Sequence, residues 1–488
     1  MSTTTLAGAR QGRPGVILAT CCLSLFVSVV DATIVNVALP SIQRSFHAST
    51  GGLQWTVDAY TLVVASLLML SGSLADRLGR RRVFQTGLVL FTTGSLLCSL
   101  APGLGWLVGF RMLQAVGGSM LNPVALAIIA STFTQPRQRA RAMGMWASVV
   151  GVSLAAGPVL GGALVSAVGW RAIFWVNVPV GLAAIVLTQR YVPESRAPRP
   201  RRLDPVAQVL IVVLLGGLTA GIIEGPQHGW GSPLIVGCFV AAALAGTGVV
   251  IAERRRSEPL IDPRFFASAP FSGAALIAMT AFAGMGGFLF LNTLYLQTVR
   301  GYSAAVAGLL LLPMAATTAA AGPLSGRLVA AGHARRSLVI ASTAIALGSG
   351  LLMTLTSATP IAELTAAYVV FGVGFGFVNP PISNTAVSGM PPAQAGVAAS
   401  VASTSRQVGS ALGVAITGAL VAGRHAAGFA AASHSGWAVI GGCGLAVLLI
   451  GVASTSRWAH RSAQRTRELL IAEPEEGTAH DRAHAAIS

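Results

Sequence analysis

Lysine is absent from the 488 residues: all 32 basic side chains are arginine. Acids are scarce as well, with 15 Asp and Glu, and charged residues make up only 10% of the chain. Soluble domains carry about 25% charged residues, so this surface cannot face water throughout. Without lysine there is no phosphate-binding loop of the form G-x-x-x-x-G-K-[ST], which removes that route to ATP-driven work. The five cysteines (Cys21, Cys22, Cys98, Cys238, Cys443) lie in apolar runs, and none stands at metal-ligand spacing from a histidine. They read as packing residues. The eight histidines fall mostly in loops and the tail and form no metal cluster. A membrane enzyme would show clustered His and Asp or a nucleophile at one membrane face. Here the polar groups are spread singly, so no enzymatic role is expected and a polytopic enzyme or sensor is a remote alternative. Val16–Cys21 is a poor fit to a lipoprotein cleavage site, and the first apolar run reads as an uncleaved span.

What the chain does contain is apolar surface and small residues. Some 53% of positions are hydrophobic, mean hydropathy is +0.71, and there are 57 glycines, which suits helices packed closely in lipid. Runs of about 20 apolar residues place fourteen spans near 15–39, 53–74, 83–101, 105–130, 141–166, 170–189, 205–224, 232–252, 271–296, 304–325, 337–356, 361–387, 398–422 and 436–456. Pro380, Pro381, Pro391 and Pro392 interrupt the pattern around the twelfth and thirteenth spans. Arginine is unevenly divided between the two sets of connections. One set holds Arg77 and Arg80–Arg82, then Arg137, Arg139 and Arg141, Arg190–Arg202, Arg254–Arg264, Arg327, Arg335 and Arg336, with Arg457–Arg467 in the tail. The other holds little beyond Arg44, Arg171, Arg300 and Arg424. Positive residues stay inside, so the rich set is cytoplasmic, both termini with it. The net charge of +17 is thus a topology signal, and no nucleic-acid partner is expected.

The expected organisation is a cytoplasmic N-terminus (1–14), six helices (15–189), a Pro/Arg-rich cytoplasmic linker (190–204), two inserted helices (205–252), a second cytoplasmic linker (253–270), six more helices (271–456) and a solvated, weakly ordered cytoplasmic tail (457–488). An internal repeat supports it. Gly72-Ser-Leu74-Ala-Asp-Arg77-Leu78 returns as Gly322-Pro-Leu324-Ser-Gly-Arg327-Leu328, an offset of 250. Gly144, Gly157 and Gly161 return as Gly396, Gly409 and Gly413 at 252, Asn122-Pro123 as Asn379-Pro380 at 257, and Asn36 as Asn292 at 256. Four helix pairs sharing nearly one shift make two parallel six-helix copies, an arrangement that places a transport site at the repeat interface.

Ionisable groups inside the membrane are costly and require a reason. Asp31 shares one helix face with Ser24 and Ser28, implying a wet cavity or a partner helix; a carboxyl there can exchange a proton, or it can be a packing carboxyl paired with an Arg. Asp58, near the outer start of the second span, is a further candidate for proton coupling beside Asp31 and Arg111, although a first-turn acid favoured by the helix dipole is the plainer reading. Arg111, Gln114, Gly118 and Asn122 form a single polar face on the fourth span. Arg111 cannot lose its charge, so it must be paired or hydrated, and a carboxyl–Arg couple is one way for proton binding to bias two conformations. Gly72, Asp76, Arg77, Gly79 and Arg80 form a tight loop whose acid can bind across an interface in one conformation only. Gly157-Pro158-Val-Leu-Gly161-Gly162 suits a helix that bends and slides against a neighbour. Asn36, Gln114, Asn122, Asn292, Asn379, Arg406 and Gln407 are candidate cavity residues.

Together these residues resemble the major facilitator superfamily. Gly72–Arg82 resembles its G-x-L-x-D-R-x-G-R-R signature, Arg111-x-x-Gln114 its R-x-x-Q-G element, and Gly157–Gly162 its antiporter motif. Asp31-x-Thr-Ile-Val-Asn-Val-Ala-Leu-Pro40, Trp170-Arg-x-Ile-Phe-x-x-Asn177-Val-Pro179 and Ser405-Arg-Gln-x-Gly409 resemble the fourteen-helix drug:proton antiporter branch. Ala115, Ser153 and Gly326 depart from the family pattern. The resemblance implies an all-α polytopic fold of two six-helix bundles plus two inserted helices, with a central cavity and rocking alternating access. It implies that Arg111 assists proton coupling and that Asp76 stabilises an outward-open state. The expected function is proton-driven export of lipophilic drugs, antibiotics or dyes across the cytoplasmic membrane, with no cofactor beyond the proton gradient. Protons would enter from outside, neutralise Asp31 or another cavity carboxyl, and loosen its pairing with Arg111. The tenth span holds no acid, which makes dicationic cargo less expected. A dedicated exporter of one metabolite or lipid is the alternative.

Overall fold

A computed structural model describes residues 13–196, 204–255, 263–387, 395–423 and 426–471. Arg199, Arg201, Arg202, Arg256, Pro391, Pro392, Arg424 and the tail beyond 471 lie outside them. In chain order the helices are α1 (Pro14–Phe46), α2 (Thr50–Leu78), α3 (Arg80–Ser99), α4 (Leu104–Thr132), α5 (Pro136–Ala167), a short α6 (Ala172–Trp175) leading into α7 (Asn177–Tyr191), α8 (Pro205–His228) and α9 (Pro233–Arg254). After a 3-10 turn at Pro263–Ala267 come α10 (Ala269–Leu294), with a π-helical extension at Tyr295–Val299, α11 (Ala304–Leu310), α12 (Leu312–Ala330), α13 (Ala334–Leu352), α14 (Ile361–Val387), α15 (Ala395–Val421), α16 (Ala426–Ser454) and α17 (Arg457–Ile471).

Eleven of these stretches are long and apolar enough to cross a bilayer. The other three expected spans, α3, α13 and α15, are helical but less apolar: α3 opens on three arginines, and α15 carries Ser403, Thr404, Ser405, Arg406 and Gln407. All three are packed among the rest, α3 on α4 and α7, α13 on α14 and α16, α15 on α10 and α2. The prolines at 380 and 381 stay inside an unbroken α14. Outward faces are oily, with Leu244 and Leu449 exposed at 68% and 71%. The protein is therefore a multi-pass membrane protein, and its polar groups are turned inward.

The two halves use the same pairings. α1 packs on α5 as α10 packs on α15, α2 on α4 as α12 on α14, and α3 on α4 as α13 on α14. Glycine explains the first of these. Cβ atoms on Gly157 and Gly161 would run into Thr33 and Ile34 of α1, and Cβ atoms on Gly409 and Gly413 into the carbonyls of Met279 and Ala283 of α10. The repeated glycines mark where one helix of each copy lies directly on another.

α8 and α9 pack on one another, and α8 also touches α2 and α15, one helix from each half. Gln208 Nε2 donates to Ser66 O at 2.6 Å and Trp55 Nε1 donates to Glu224 Oε1 at 2.8 Å, so its polar ties run to α2. The expectation of a weakly ordered tail does not hold for residues 457–471. There α17 buries Ala459, Ala463 and Thr466 against α10 and the 3-10 turn, and Ser462 Oγ accepts from Ala269 N at 3.0 Å.

Candidate functional site

The first bundle is organised around one buried ion pair. Arg111 Nη1 donates to Asp31 Oδ2 at 2.5 Å, with the side chains 1% and 0% exposed. Asp31 Oδ1 accepts from Gln114 Nε2 at 2.8 Å and from Asn177 Nδ2 at 2.7 Å. Arg111 also donates to Gln114 Oε1 at 2.7 Å and to Thr56 O at 3.3 Å, and its guanidinium lies 4.3 Å from the Tyr60 ring centroid. Gln114 donates in turn to Ser95 Oγ at 2.6 Å. Asp31 and Arg111 thus bind α1, α2, α4 and α7 together, and Gln114 extends the network to Ser95 of α3. Ser24 and Ser28, on the Asp31 face, turn back to the carbonyls of Cys21 and Leu25. Gln114, expected on a cavity wall, is fully buried within this network. A buried pair of this kind costs about 3–5 kcal/mol when one partner is removed, because the survivor is stranded in low dielectric.

Asp58 is the opposite case. It is the ninth residue of α2, past the first turn, so the dipole reading of its position fails. It is fully buried, and neither carboxyl oxygen has a hydrogen-bond partner among the described residues. Helix geometry gives its direction. Gln54, one turn earlier, donates across to Val414 O and Ala415 O of α15 at 3.1 and 2.7 Å. Ala65, seven residues later on the same face, clusters with Ala411 of α15. Asp58 therefore faces the seam between the bundles, where a charged carboxylate with no donor would be far costlier than a neutral acid.

The seam is closed at the arginine-poor end. Besides Gln54, the π-helical turn aims Gln297 Nε2 at Val37 O of α1, 2.8 Å away, and Ser166 Oγ accepts from Ala305 N at 3.1 Å. The Gly157–Gly162 motif divides its faces. Gly157 and Gly161 pack on α1 inside the bundle, while a Cβ on Gly162 would lie 2.5 Å from Ala304 O, and Gly308 meets the Pro158 carbonyl. Pro158 and Gly162 thus serve the crossing to α11. At the arginine-rich end, a Cβ on Gly72, Gly144, Gly322 or Gly326 would meet nothing within 4 Å. Gly72 thus stands at no close helix approach in this conformation.

The Gly72–Arg82 loop folds back on its own bundle. Asp76 Oδ1 and Arg80 Nη2 are 3.3 Å apart, one turn from each other. Gly79, at φ +111, joins α2 to α3 in a single residue. Its missing side chain leaves room for Glu194, whose carboxylate would lie 2.5 Å from a Cβ and accepts from Arg81 N at 3.1 Å. Arg80 N donates to Ser195 O at 2.9 Å. Glu194 was not singled out in the sequence, where it is one acid in an arginine-rich linker.

In the second bundle Asn292 is fully buried and accepts from Tyr368 Oη at 2.6 Å. It is a core residue linking α10 to α14, which corrects its placement on a cavity wall. Asn36 is buried too, donating to Ala32 O and Thr33 O within α1. Asn122, Asn379, Arg406 and Gln407 are half-buried. Arg406 Nη2 donates to Ser383 Oγ at 2.8 Å.

The sequence model of the Major Facilitator Superfamily matches residues 21–414. The chain is 39% identical over 401 residues to the multidrug resistance protein Stp of Mycobacterium tuberculosis, covering 82% of this chain and 74% of that protein. It is 36% identical to the tetracenomycin C resistance and export protein of Streptomyces glaucescens, over 86% of this chain and 78% of the relative. With the methylenomycin A resistance protein of Streptomyces coelicolor it shares 34% identity over 85% and 87%. Among solved structures, an inward-facing, occupied bacterial homologue of the human lysosomal transporter Spinster overlays with a TM-score of 0.66 at 18% identity, covering 94% of this chain and 99% of that one. A D-xylose–proton symporter overlays at 0.64 with 16% identity, over 89% and 97%.

Proposed function

This chain belongs to the major facilitator superfamily, and from that premise we propose that it exports small lipophilic molecules of the antibiotic or dye class across the cytoplasmic membrane in exchange for protons. The arginine-rich end then faces the cytoplasm, both termini with it, and the conformation described is open inward. The resistance and export names of the relatives support this class of cargo. The relatives named for single compounds, tetracenomycin C and methylenomycin A, keep a dedicated exporter as the second reading.

The observation that carries the exchange is the contrast between two carboxyls. Asp31 is held by Arg111, Gln114 and Asn177, which suits a structural tie within the first bundle. Asp58 has no partner and lies in the seam that must open and close. The seam can shut only over the neutral acid. Opened to the outside, Asp58 meets water and takes a proton; closure carries that proton inward; its loss on the cytoplasmic side favours reopening once cargo is bound. The gradient drives the cycle because the two conformations differ in their affinity for that proton. Of the carboxyls that the sequence offers for coupling, Asp31 and Asp58, this reading favours Asp58.

Uptake of a fluorescent dye by everted membrane vesicles, whose lumen stands for the outside, tests the scheme. Asp58→Asn should abolish gradient-driven dye movement while leaving dye–dye exchange, since the neutral side chain permits closure without a proton. Full gradient-driven transport in Asp58→Asn, or wild-type transport indifferent to the gradient, would refute it.

A further inference from the structure

Residues 269–454 contain a single acid, Glu363, and it is exposed in the first turn of α14. The same stretch carries a cation near the middle of a membrane helix: Arg406 lies eleven residues into the 27-residue α15, roughly 16 Å from its start at 1.5 Å per residue. A guanidinium at that depth keeps its charge and needs a counter-charge or water. Arg406 has one neutral partner, Ser383 Oγ at 2.8 Å, and its Nε is buried with no partner among the described residues. The guanidinium carbon lies 5.9 Å from the Phe282 ring centroid, and Phe282 meets Phe375 edge-on at 5.0 Å. Arg406 and Phe282 are both half-buried, so each reaches open space.

Neither of the fully buried carboxyls of the first bundle, Asp31 and Asp58, serves as its counter-ion. Asp31 is held by Arg111. Asp58 faces the side of α15 that carries Ala411 and Ala415. Arg406, five residues before Ala411, is turned about 140° from that side, toward α10 and α14. Among the described residues the second bundle therefore presents a cation with no counter-charge beside two aromatic rings.

We propose that Arg406, with Ser383 and the Phe282–Phe375 pair, binds the anionic group of the cargo, so that the preferred substrates are amphipathic organic anions with an aromatic body. The guanidinium supplies a fork that matches an oxyanion, and the rings take the apolar body. This inference rests on the export reading and names its substrate class. It also accounts for a cation kept where an aliphatic side chain would be less costly.

The test uses the full-length protein purified in detergent and three probes on one skeleton: naphthalene-1-sulfonate, the neutral naphthalene-1-sulfonamide and a naphthylmethyl-trimethylammonium. Equilibrium binding is read by calorimetry, which needs no gradient. The sulfonate should bind at least tenfold tighter than either analogue. Arg406→Gln should weaken the sulfonate tenfold or more and leave the sulfonamide within twofold, and Arg406→Lys should recover part of the loss. If Arg406→Gln does not fold, the ranking by wild type decides alone, joined by Ser383→Ala, which should weaken the sulfonate a few-fold. Equal binding of sulfonate and sulfonamide, preference for the ammonium probe, no sulfonate binding by wild type, or equal losses for both probes in Arg406→Gln would overturn the proposal. Gradient-driven flux in vesicles is scored separately. Sulfonate binding through Arg406 without gradient-driven flux defeats proton exchange and leaves this site standing; driven flux of the ammonium probe without sulfonate binding does the reverse.

Discussion

Replacing Gly162 with alanine places a methyl group where α5 crosses from the first bundle to α11 of the second. An ideal Cβ there lies 2.5 Å from Ala304 O and 2.8 Å from Ala305 Cα, against an ordinary contact of about 3.5 Å or more. Both obstacles are backbone, so no side chain can rotate away and the two helices must separate by roughly 0.7–1 Å. Overpacking of this kind costs about 1–3 kcal/mol. The gain of alanine over glycine in helix propensity applies in either conformation and cancels. The clash exists only while the arginine-poor end is closed, so the cost falls on that conformation and shifts the balance toward the opposite one by about fivefold to 150-fold. The shift can be read by electron-resonance distance measurement between nitroxides at Val168→Cys and Val306→Cys, which are exposed at 78% and 40% beside the crossing, in a background lacking the native cysteines. The distribution should move to longer distances in Gly162→Ala and stay put in Gly144→Ala, where a methyl meets nothing within 4 Å. An unchanged distribution in Gly162→Ala, at wild-type yield and melting temperature, would refute the idea that this crossing holds the end shut.

Three further outcomes follow from the same geometry. Asp31→Asn strands the Arg111 charge and should lower stability by about 3–5 kcal/mol, seen as a loss of folded yield and melting temperature in detergent; Asp31→Asn combined with Arg111→Gln should recover much of it, and a single mutant as stable as wild type would contradict the pairing. Gly79→Ala puts a side chain at φ +111 and against Glu194; it should cost about 1–3 kcal/mol, and adding Glu194→Ala should restore only the steric share of the melting temperature. Asp58→Asn removes no bond, so its melting temperature should match or exceed that of wild type even where driven transport is lost.

Much of this architecture is legible in the chain because lipid imposes a simple rule. Long apolar runs mark spans, and the shared offset of Asn36, Gly157, Asn122 and Gly72 with their second copies marks the halves. The Asp31–Arg111 pair is legible for a related reason, since each interrupts an apolar helix with a polar stripe that must meet another. Asp58 was harder to interpret. α2 is buried on nearly every side, so periodicity does not say which face meets the other bundle, and only the Gln54 bonds to α15 reveal it. Asn292 shows the converse failure: a polar residue inside a membrane helix can be satisfied by one hydroxyl, that of Tyr368, and need line no cavity. Glu194 and α17 were missed because a lone acid among arginines and an arginine-rich amphipathic stretch both read as solvated chain until their neighbours are known.

The two extra helices have a mechanical consequence. Every polar tie described for α8 runs to α2, through Ser66, Trp55 and Ser49, whereas α8 meets α15 through aliphatic groups such as Leu215 beside Ala411. In the proposed exchange cycle α8 and α9 would travel with the first half, and the surface that slips would be the apolar one between α8 and α15. On that flank the pair would act as a gasket fixed to one jaw.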